Sequence, residues 1–348
     1  MDQGKLETVA KNLVARGKGI LAADESENSC KKRFDSVGVE CTEETRREYR
    51  GLLFTTPNAH DYMSGVIFFD ETFWQKTDEG QPFPDYLREH GVIPGIKVDK
   101  GLIDLPGFPG EKLTQGLDGL PERMVKYAEA GAQFAKWRAV ITIGDGIPTD
   151  ECINANAFVL ARYARICQDA NIVPIVEPEV LFDGNHTIEQ CEQVTVKTYD
   201  ALFQAMRALR VHMPGAILKT GMILPGKDSG TPIDHEDVAN RTVKALHEHV
   251  PHELGGVVFL SGGQTSNDAF INLNRIAQKG PHPWGITFSY SRAIQDPVLK
   301  MWAKERTNRE GIQNLFHRQL ELVGAASKGE LDESQLHADN FVSHAQDL

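Results

Sequence analysis

Eight ionisable side chains of this sequence lie within or at the end of short apolar segments rich in valine and isoleucine. Four are acids and four are bases, so their formal charges sum to zero: Asp24, Lys97, Asp99, Lys136, Arg138, Glu177, Glu179 and Lys219. Side chains alternate across a strand, so residues spaced two apart share one face. If that face is the interior of a fold, a charged cluster without net charge can persist there.

A buried lysine beside a second cation is suited to covalent chemistry with a carbonyl group. Desolvation and a cationic neighbour such as Lys136 both favour the neutral, nucleophilic amine of Lys219. This amine and a ketone form a Schiff base, whose protonated imine withdraws electrons without any cofactor. Glu177 and Glu179 are candidates to move protons, and Asp24 is a candidate base for a substrate hydroxyl. A structural ion network is the alternative interpretation of these charges.

Eight short apolar runs bounded by glycine, proline or aspartate predict the strands that carry these residues. The strands are predicted at 19–24, 65–70, 95–99, 134–140, 172–180, 216–223, 256–261 and 285–290. Helical periodicity and N-terminal caps predict helices between them, at 42–55, 121–130, 149–168, 187–209, 234–249 and 265–278. From residue 24 to residue 290 the strand ends recur about every 38 residues, enough for one strand, one helix and two loops.

This rhythm predicts an α/β protein of the (β/α)8 TIM-barrel class. We expect a single barrel domain over 1–324 with an extra N-terminal helix, followed by a polar, mobile tail over 325–348. A doubly wound open sheet is the alternative, because strand order is not visible in a sequence. In a barrel, the charged strand ends would converge at the carboxyl-terminal mouth, where barrel enzymes carry their chemistry.

Composition narrows the classes of function. The chain has 348 residues, of which 41% are hydrophobic and 25% charged, as in ordinary globular domains. Its net charge of −12 disfavours nucleic acid and anionic membranes as partners, so any anionic ligand needs a local cluster of cations. Five cysteines without a CxxC spacing, and no apolar run near the roughly 18 residues of a membrane span, favour a cytoplasmic protein.

Seven segments in one order along the chain resemble a known family. They are LAADES (21–26), GIKVDKG (95–101), QGLDGL (115–120), FAKWR (134–138), IVEPE (175–179), LSGGQ (260–264) and TFSY (287–290). On these segments the sequence resembles the class I fructose-bisphosphate aldolases. The resemblance implies a metal-free barrel enzyme of glycolysis and gluconeogenesis, usually a homotetramer. Such an enzyme cleaves fructose 1,6-bisphosphate reversibly into dihydroxyacetone phosphate and glyceraldehyde 3-phosphate.

The resemblance also implies a role for each catalytic candidate. Lys219 would carry the Schiff base, and Glu177 would be the general acid/base of imine formation. Lys136 would assist the amine and C–C cleavage, while Asp24 would accept the proton of the C4 hydroxyl. Glu179 would lie in the same site and hold its partners in place.

The resemblance also implies which residues bind the substrate. Lys97 and Arg138 would lie in the same site. The C1 phosphate would be bound at Ser261, Gly262, Ser289 and Arg292, and the C6 phosphate at Ser26, Ser29, Lys32 and Arg33. A guanidinium group together with backbone N–H groups is physically suited to bind phosphate.

The sequence also departs from the family pattern. Lys219 is followed by Thr-Gly where the animal enzymes have Pro-Asn, and Ser291 stands where they have glycine. The last tyrosine is Tyr290, whereas the animal enzymes end in a tyrosine that assists turnover. These departures leave two alternatives open: an aldolase for fructose 1-phosphate or sedoheptulose 1,7-bisphosphate, and a binding or scaffold relative with weakened catalysis. A metal-dependent aldolase or isomerase is a further alternative.

Overall fold

The computed structural model of the chain describes residues 1–338. Its ten strands are β1 Gly19–Ala23, β2 Met63–Phe68, β3 Ile93–Lys97, β4 Leu102–Asp104, β5 Lys112–Thr114, β6 Phe134–Ile141, β7 Val173–Val180, β8 Ile217–Thr220, β9 Gly256–Phe259 and β10 Ile286–Tyr290. All except β4 and β5, which form an antiparallel hairpin, pair in parallel and in chain order. The pairing of β1 with β10, at Ile20 with Ser289, closes the barrel. The predicted TIM barrel is therefore confirmed, and the open-sheet alternative is wrong.

Thirteen helices surround and close this barrel in the described part of the chain. They are α1 Gln3–Leu13, α2 Glu27–Asp35, α3 Glu43–Phe54, α4 Asp70–Phe73, α5 Phe83–Glu89, α6 Leu120–Glu129, α7 Asp150–Asp169, α8 Ile188–Ala208, α9 His235–His249, α10 Ser266–Gln278, α11 Arg292–Lys304, α12 Arg309–Ser327 and α13 Gln335–Ala338. The six helices predicted between strands are present with ends shifted by at most one residue. Within residues 1–338, no helix is both long and apolar enough to cross a membrane.

Apolar side chains close the barrel at the amino-terminal ends of its strands. Helix α1 packs Leu6 and Leu13 against inward-facing residues of the strands, including Ile20 and Phe134. The ring of Phe134 fills space beside Gly95, where a Cβ atom would lie within 2.4 Å of three ring atoms. A side chain at that position would therefore displace the ring from the barrel interior.

The C-terminal boundary differs from the one predicted. The predicted division after residue 324 falls inside α12, and Ala326 is fully buried. Leu331 and Leu336 also pack into the main hydrophobic core. Apolar contacts therefore hold the chain well beyond residue 324, and the remainder of the predicted tail, 339–348, lies outside the described residues.

Candidate active site

The site lies where apolar residues give way to charged residues along the inward face of four strands. On β6, Lys136 follows Phe134 by two residues, and on β8, Lys219 follows Ile217. The same step occurs from Ile175 to Glu177 on β7, and from the end of β1 to Asp24. Residues spaced by two share a strand face, so each charged side chain continues an apolar row inside the barrel. All of them lie at the carboxyl-terminal mouth.

Four of these side chains form a continuous series of ion pairs, which we call the inner chain. The Nζ atom of Lys136 lies 2.7 Å from Oδ2 of Asp24 and 3.0 Å from Oε2 of Glu177. The other oxygen of that carboxylate, Oε1, lies 3.2 Å from Nζ of Lys219. All four residues are buried. The inner chain thus alternates acid and base and has no formal net charge, as the sequence predicted for the whole cluster.

Two further ion pairs flank the inner chain. Lys97 Nζ lies 3.0 Å from Oδ1 of Asp99, and Arg138 pairs with Glu179. The carboxylate of Asp99 also accepts a hydrogen bond from the backbone N–H of Gly101 at 3.2 Å. The structure therefore brings all eight predicted ionisable residues to one end of the barrel.

Within the inner chain, the acids and Lys136 shift each other's pKa toward the charged form. Burial alone would raise the pKa of Asp24, but Lys136 and Lys219 outweigh it and lower that pKa to about 2. Burial is likewise outweighed at Glu177, whose pKa is lowered by Lys136, Lys219 and Arg138. Burial would lower the pKa of Lys136, yet the carboxylates of Asp24 and Glu177 raise it well above its ordinary value. Near neutral pH, the two acids are ionised and Lys136 is a fixed cation.

One candidate phosphate region lies beyond β9 and β10. Gly262 and Gly263 have φ angles of +61° and +95°, a left-handed backbone that glycine adopts without a Cβ clash. A Cβ atom on Gly263 would lie 3.6 Å from Nη2 of Arg292, so this loop and the exposed guanidinium are neighbours. At the end of β10, the buried Oγ of Ser289 has no hydrogen-bond partner among residues 1–338. Such a combination of polar groups is suited to an anion.

The second predicted phosphate region, at α2, is organised differently. Ser26 caps this helix by accepting a hydrogen bond from the N–H of Ser29, and their Oγ atoms lie 3.1 Å apart. Lys32 is exposed on α2. Arg33, by contrast, is largely buried and its Nη2 lies 2.9 Å from Oδ1 of Asp296. The structure thus leaves the two serines and Lys32 accessible, while Arg33 already has carboxylate partners.

Arg33 belongs to a second series of ion pairs, which we call the rim chain. In spatial order it consists of Asp296, Arg33, Glu25, Arg50, Glu71 and Arg46. It joins α2, α3, α4 and α11 around the outside of β1. Sequence reasoning identified only Arg33 among these residues. The available signal was the position of Glu25, directly after Asp24 and therefore on the opposite side of the strand end.

The described residues offer no metal centre that sequence reasoning overlooked. Among residues 1–338, no three histidine, cysteine, aspartate or glutamate side chains are grouped so that they could hold a metal ion. The ionisable residues at the mouth are instead matched with one another, acid to base.

A closed parallel barrel with a buried lysine–carboxylate series at its mouth, beside a glycine loop suited to an anion, is typical of enzymes of the (β/α)8 class. The model of the family "Fructose-bisphosphate aldolase class-I" matches residues 5–346. The chain belongs to this family. The resemblance and the enzyme class predicted from the sequence, a carbon–carbon lyase with fructose-bisphosphate aldolase function, are confirmed.

Individual relatives agree with the family match. The chain is 50% identical over 326 residues to a probable fructose-bisphosphate aldolase class 1 of Xanthomonas campestris pv. campestris, covering 93% of this chain and 98% of the relative. It is 52% identical over 301 residues to the cytosolic fructose-bisphosphate aldolase 4 of Arabidopsis thaliana, covering 86% and 77%. A solved fructose-bisphosphate aldolase from Plasmodium falciparum, in complex with TRAP and a small-molecule inhibitor, superposes with a TM-score of 0.93 at 47% identity, covering 95% and 96%.

Proposed function

We propose that the chain cleaves fructose 1,6-bisphosphate reversibly through a Schiff base on Lys219, without a metal ion. The observation that carries this proposal is the arrangement around Glu177. One carboxylate oxygen lies 3.2 Å from the Lys219 amine, and the other lies 3.0 Å from Lys136. An amine beside both a proton acceptor and a fixed cation is suited to attack a ketone.

The proposed reaction assigns the proton transfers of imine formation and of C–C cleavage to named groups. The Lys219 nitrogen bonds to C2 of the ketose, and the carbinolamine loses water as Glu177 moves the proton. The protonated imine accepts the electron pair of the C3–C4 bond as that bond breaks. Asp24 takes the proton of the C4 hydroxyl, so glyceraldehyde 3-phosphate leaves as an aldehyde. Protonation of the enamine at C3 and hydrolysis of the imine then release dihydroxyacetone phosphate.

The remaining assignments concern charge and binding. Lys136 stabilises the carboxylates of Asp24 and Glu177 and supplies positive charge during C–C cleavage. Glu179 keeps Arg138 in place, and Lys97 and Arg138 contact the sugar. The C1 phosphate binds at Ser261, Gly262, Ser289 and Arg292, and the C6 phosphate at Ser26, Ser29, Lys32 and Arg33. Exposed cations and the glycine loop support these positions.

The proposal also covers the oligomeric state of the protein and its location in the cell. We expect a cytoplasmic homotetramer whose ligands are phosphorylated ketoses and triose phosphates. Family membership supports small phosphorylated ligands. The net charge of −12 is consistent with the absence of nucleic acid or an anionic membrane among its partners.

Borohydride reduction with fructose 1,6-bisphosphate in EDTA tests the covalent step. We expect one reduced adduct per chain, located on Lys219 by intact mass and peptide mapping, and absent from Lys219→Ala. Lys227→Ala is the matched control, because that lysine lies beyond the same strand but is half exposed and paired with Asp183. An adduct confined to another lysine, or full turnover by Lys219→Ala, would overturn the mechanism.

A further inference from the structure

Arg33 is held on the rim by four residues from other parts of the chain, one of which is Gln295, whose Oε1 lies 3.5 Å from Nη1 of Arg33. Its guanidinium pairs with Glu25 and with Asp296, and its Nη1 lies 3.4 Å from Oγ of Ser291. Ser291 in turn donates a hydrogen bond to the same carboxylate of Glu25. With 16% of its side chain exposed, Arg33 lies largely out of solvent. Its positive charge is therefore already balanced before any ligand binds.

The partners of Arg33 are adjacent in sequence to residues of the catalytic site and of both candidate phosphate regions. Glu25 lies between the inner-chain acid Asp24 and the helix cap Ser26. Ser291 directly precedes Arg292, the guanidinium beside the glycine loop. The Nε of Arg33 is buried, so a phosphate can reach Arg33 only at its Nη groups, where it competes with the carboxylates that already pair there. Asp296 is the easier of the two to displace, because its side chain is 47% exposed whereas that of Glu25 is 13% exposed.

We propose that the carboxylates of Glu25 and Asp296 compete with the second phosphate of a ketose for Arg33, and that Ser291 assists by holding Glu25 in place. This competition sets the preference of the active site between bisphosphorylated and monophosphorylated ketoses. The inference rests on the proposed function, because it takes Lys219 chemistry on a phosphorylated ketose as given. The three residues act on substrate preference without contacting the reacting carbons.

Ser291 adds a hydroxyl group to the contacts that hold Glu25. The position is glycine in the pattern that the sequence resembles, and here it carries a hydroxyl group. Gln295 also donates to that hydroxyl at 3.3 Å, and to the carbonyl of Ala22 at 2.7 Å. The hydroxyl is therefore fixed from two sides and holds the Glu25 carboxylate toward Arg33.

Steady-state kinetics of Asp296→Asn with two substrates tests the proposal. We expect the KM for fructose 1,6-bisphosphate to fall roughly three- to tenfold, because Arg33 loses one competing charge that is only partly buried. The KM for fructose 1-phosphate, which has no second phosphate, is expected to stay within about twofold. Ser291→Ala is expected to shift the same ratio in the same direction by a smaller factor, since it removes a neutral partner.

Asp78→Asn is the matched control. Asp78 also pairs with an arginine, Arg47, at 2.9 Å, and its side chain is 55% exposed. We expect it to leave both KM values unchanged. An unchanged KM ratio in Asp296→Asn overturns the proposal, because Arg33 then does not exchange partners. A rise in KM for the bisphosphate together with a lower Tm also overturns it, and assigns the rim chain a purely structural role.

The proposed function is tested separately by the borohydride adduct on Lys219. If the parent enzyme forms this adduct while the KM ratio of Asp296→Asn is unchanged, only the competition at Arg33 is wrong. If the parent enzyme forms no adduct with either ketose, the proposed function itself is wrong.

Discussion

The inner chain and the rim chain contain neighbouring residues, Asp24 and Glu25, which lie on opposite sides of the end of β1. Both series alternate acid and base and carry no formal net charge. They differ in the type of base. The inner chain uses lysine at both of its basic positions, whereas the rim chain uses arginine at all three.

The type of base determines what each series of ion pairs can do. A lysine amine can lose its proton and attack a carbonyl carbon, and its compact ammonium group fits between two carboxylates. A guanidinium stays protonated at any physiological pH, and its planar donors hold several partners in a fixed geometry. The series inside the barrel can therefore react, while the series on the rim can position helices and bind anions.

Lys136→Met is expected to have the largest effect. Lys136 is 4% exposed and is the shared cation of Asp24 and Glu177. Its removal leaves two buried carboxylates without that partner, which is expected to lower the free energy of unfolding by about 3–5 kcal/mol. We expect kcat to fall at least about a thousandfold, because the fixed cation beside the reacting amine is lost. Urea denaturation and steady-state kinetics measure the two effects.

Lys136→Arg sharpens this test because it keeps the charge. We expect it to recover part of the lost stability but little of the activity, since a planar guanidinium does not fit the space of one ammonium nitrogen 2.7 and 3.0 Å from its partners. Wild-type activity in Lys136→Arg would show that the inner chain needs only a positive charge, and the distinction between the two series would fail.

Arg50→Lys makes the converse change on the rim. Arg50 is 2% exposed, donates to the carbonyl of Glu25 at 2.7 Å, and also contacts Thr72 and Glu71. A single ammonium group cannot reach these partners together, so we expect a loss of about 2–3 kcal/mol in the free energy of unfolding. We expect kcat to change by less than about threefold, because the rim chain does not touch the reacting carbons.

Arg47→Lys is the control for this substitution, because Arg47 is less buried and its partners Glu44 and Asp78 are exposed. Its stability is expected to change by less than about 0.5 kcal/mol. A fall in kcat for Arg50→Lys as large as that for Lys136→Met would assign the rim chain to the chemistry.

The inner chain was predictable from sequence because its charges interrupt apolar strands. In a parallel barrel, strand faces alternate and carboxyl ends converge, so Lys136, Glu177 and Lys219 had to approach one another once the strands were identified. Helix starts were equally visible. Thr149 and Thr187 accept hydrogen bonds from the backbone as N-caps, and each stands directly before its helix.

The rim chain was not predictable, because its members pair between different parts of the fold and no local spacing in the sequence marks those pairs. Arg33 and Asp296 are 263 residues apart, and no local pattern pairs them. Sequence reasoning assigned Arg33 to phosphate binding and could not detect its carboxylate partners. Helix α11 was missed for a related reason: Pro297 lies inside it and disfavours a helix locally, while tertiary packing maintains one.

The smallest expected effect is the pH dependence contributed by Asp24. Its pKa is about 2 in the folded chain and 3.8 in the unfolded chain. The unfolded chain therefore binds this proton first as the pH falls, and protonation favours unfolding. The stabilisation is fully present above about pH 4 and is lost as the pH falls toward 2, a change of about 2 kcal/mol for this group.

Urea denaturation of the wild type and Asp24→Asn between pH 2 and pH 5 measures this contribution. The asparagine variant is expected to be less stable by a constant amount near pH 5, and the difference is expected to shrink as the pH falls toward 2. Parallel stability curves over this range would show that folding does not lower the pKa of Asp24. A wild type that loses stability relative to Asp24→Asn as the pH rises from 2 to 5 would show that Lys136 and Lys219 do not outweigh burial, since a carboxylate with a raised pKa keeps its proton in the folded chain.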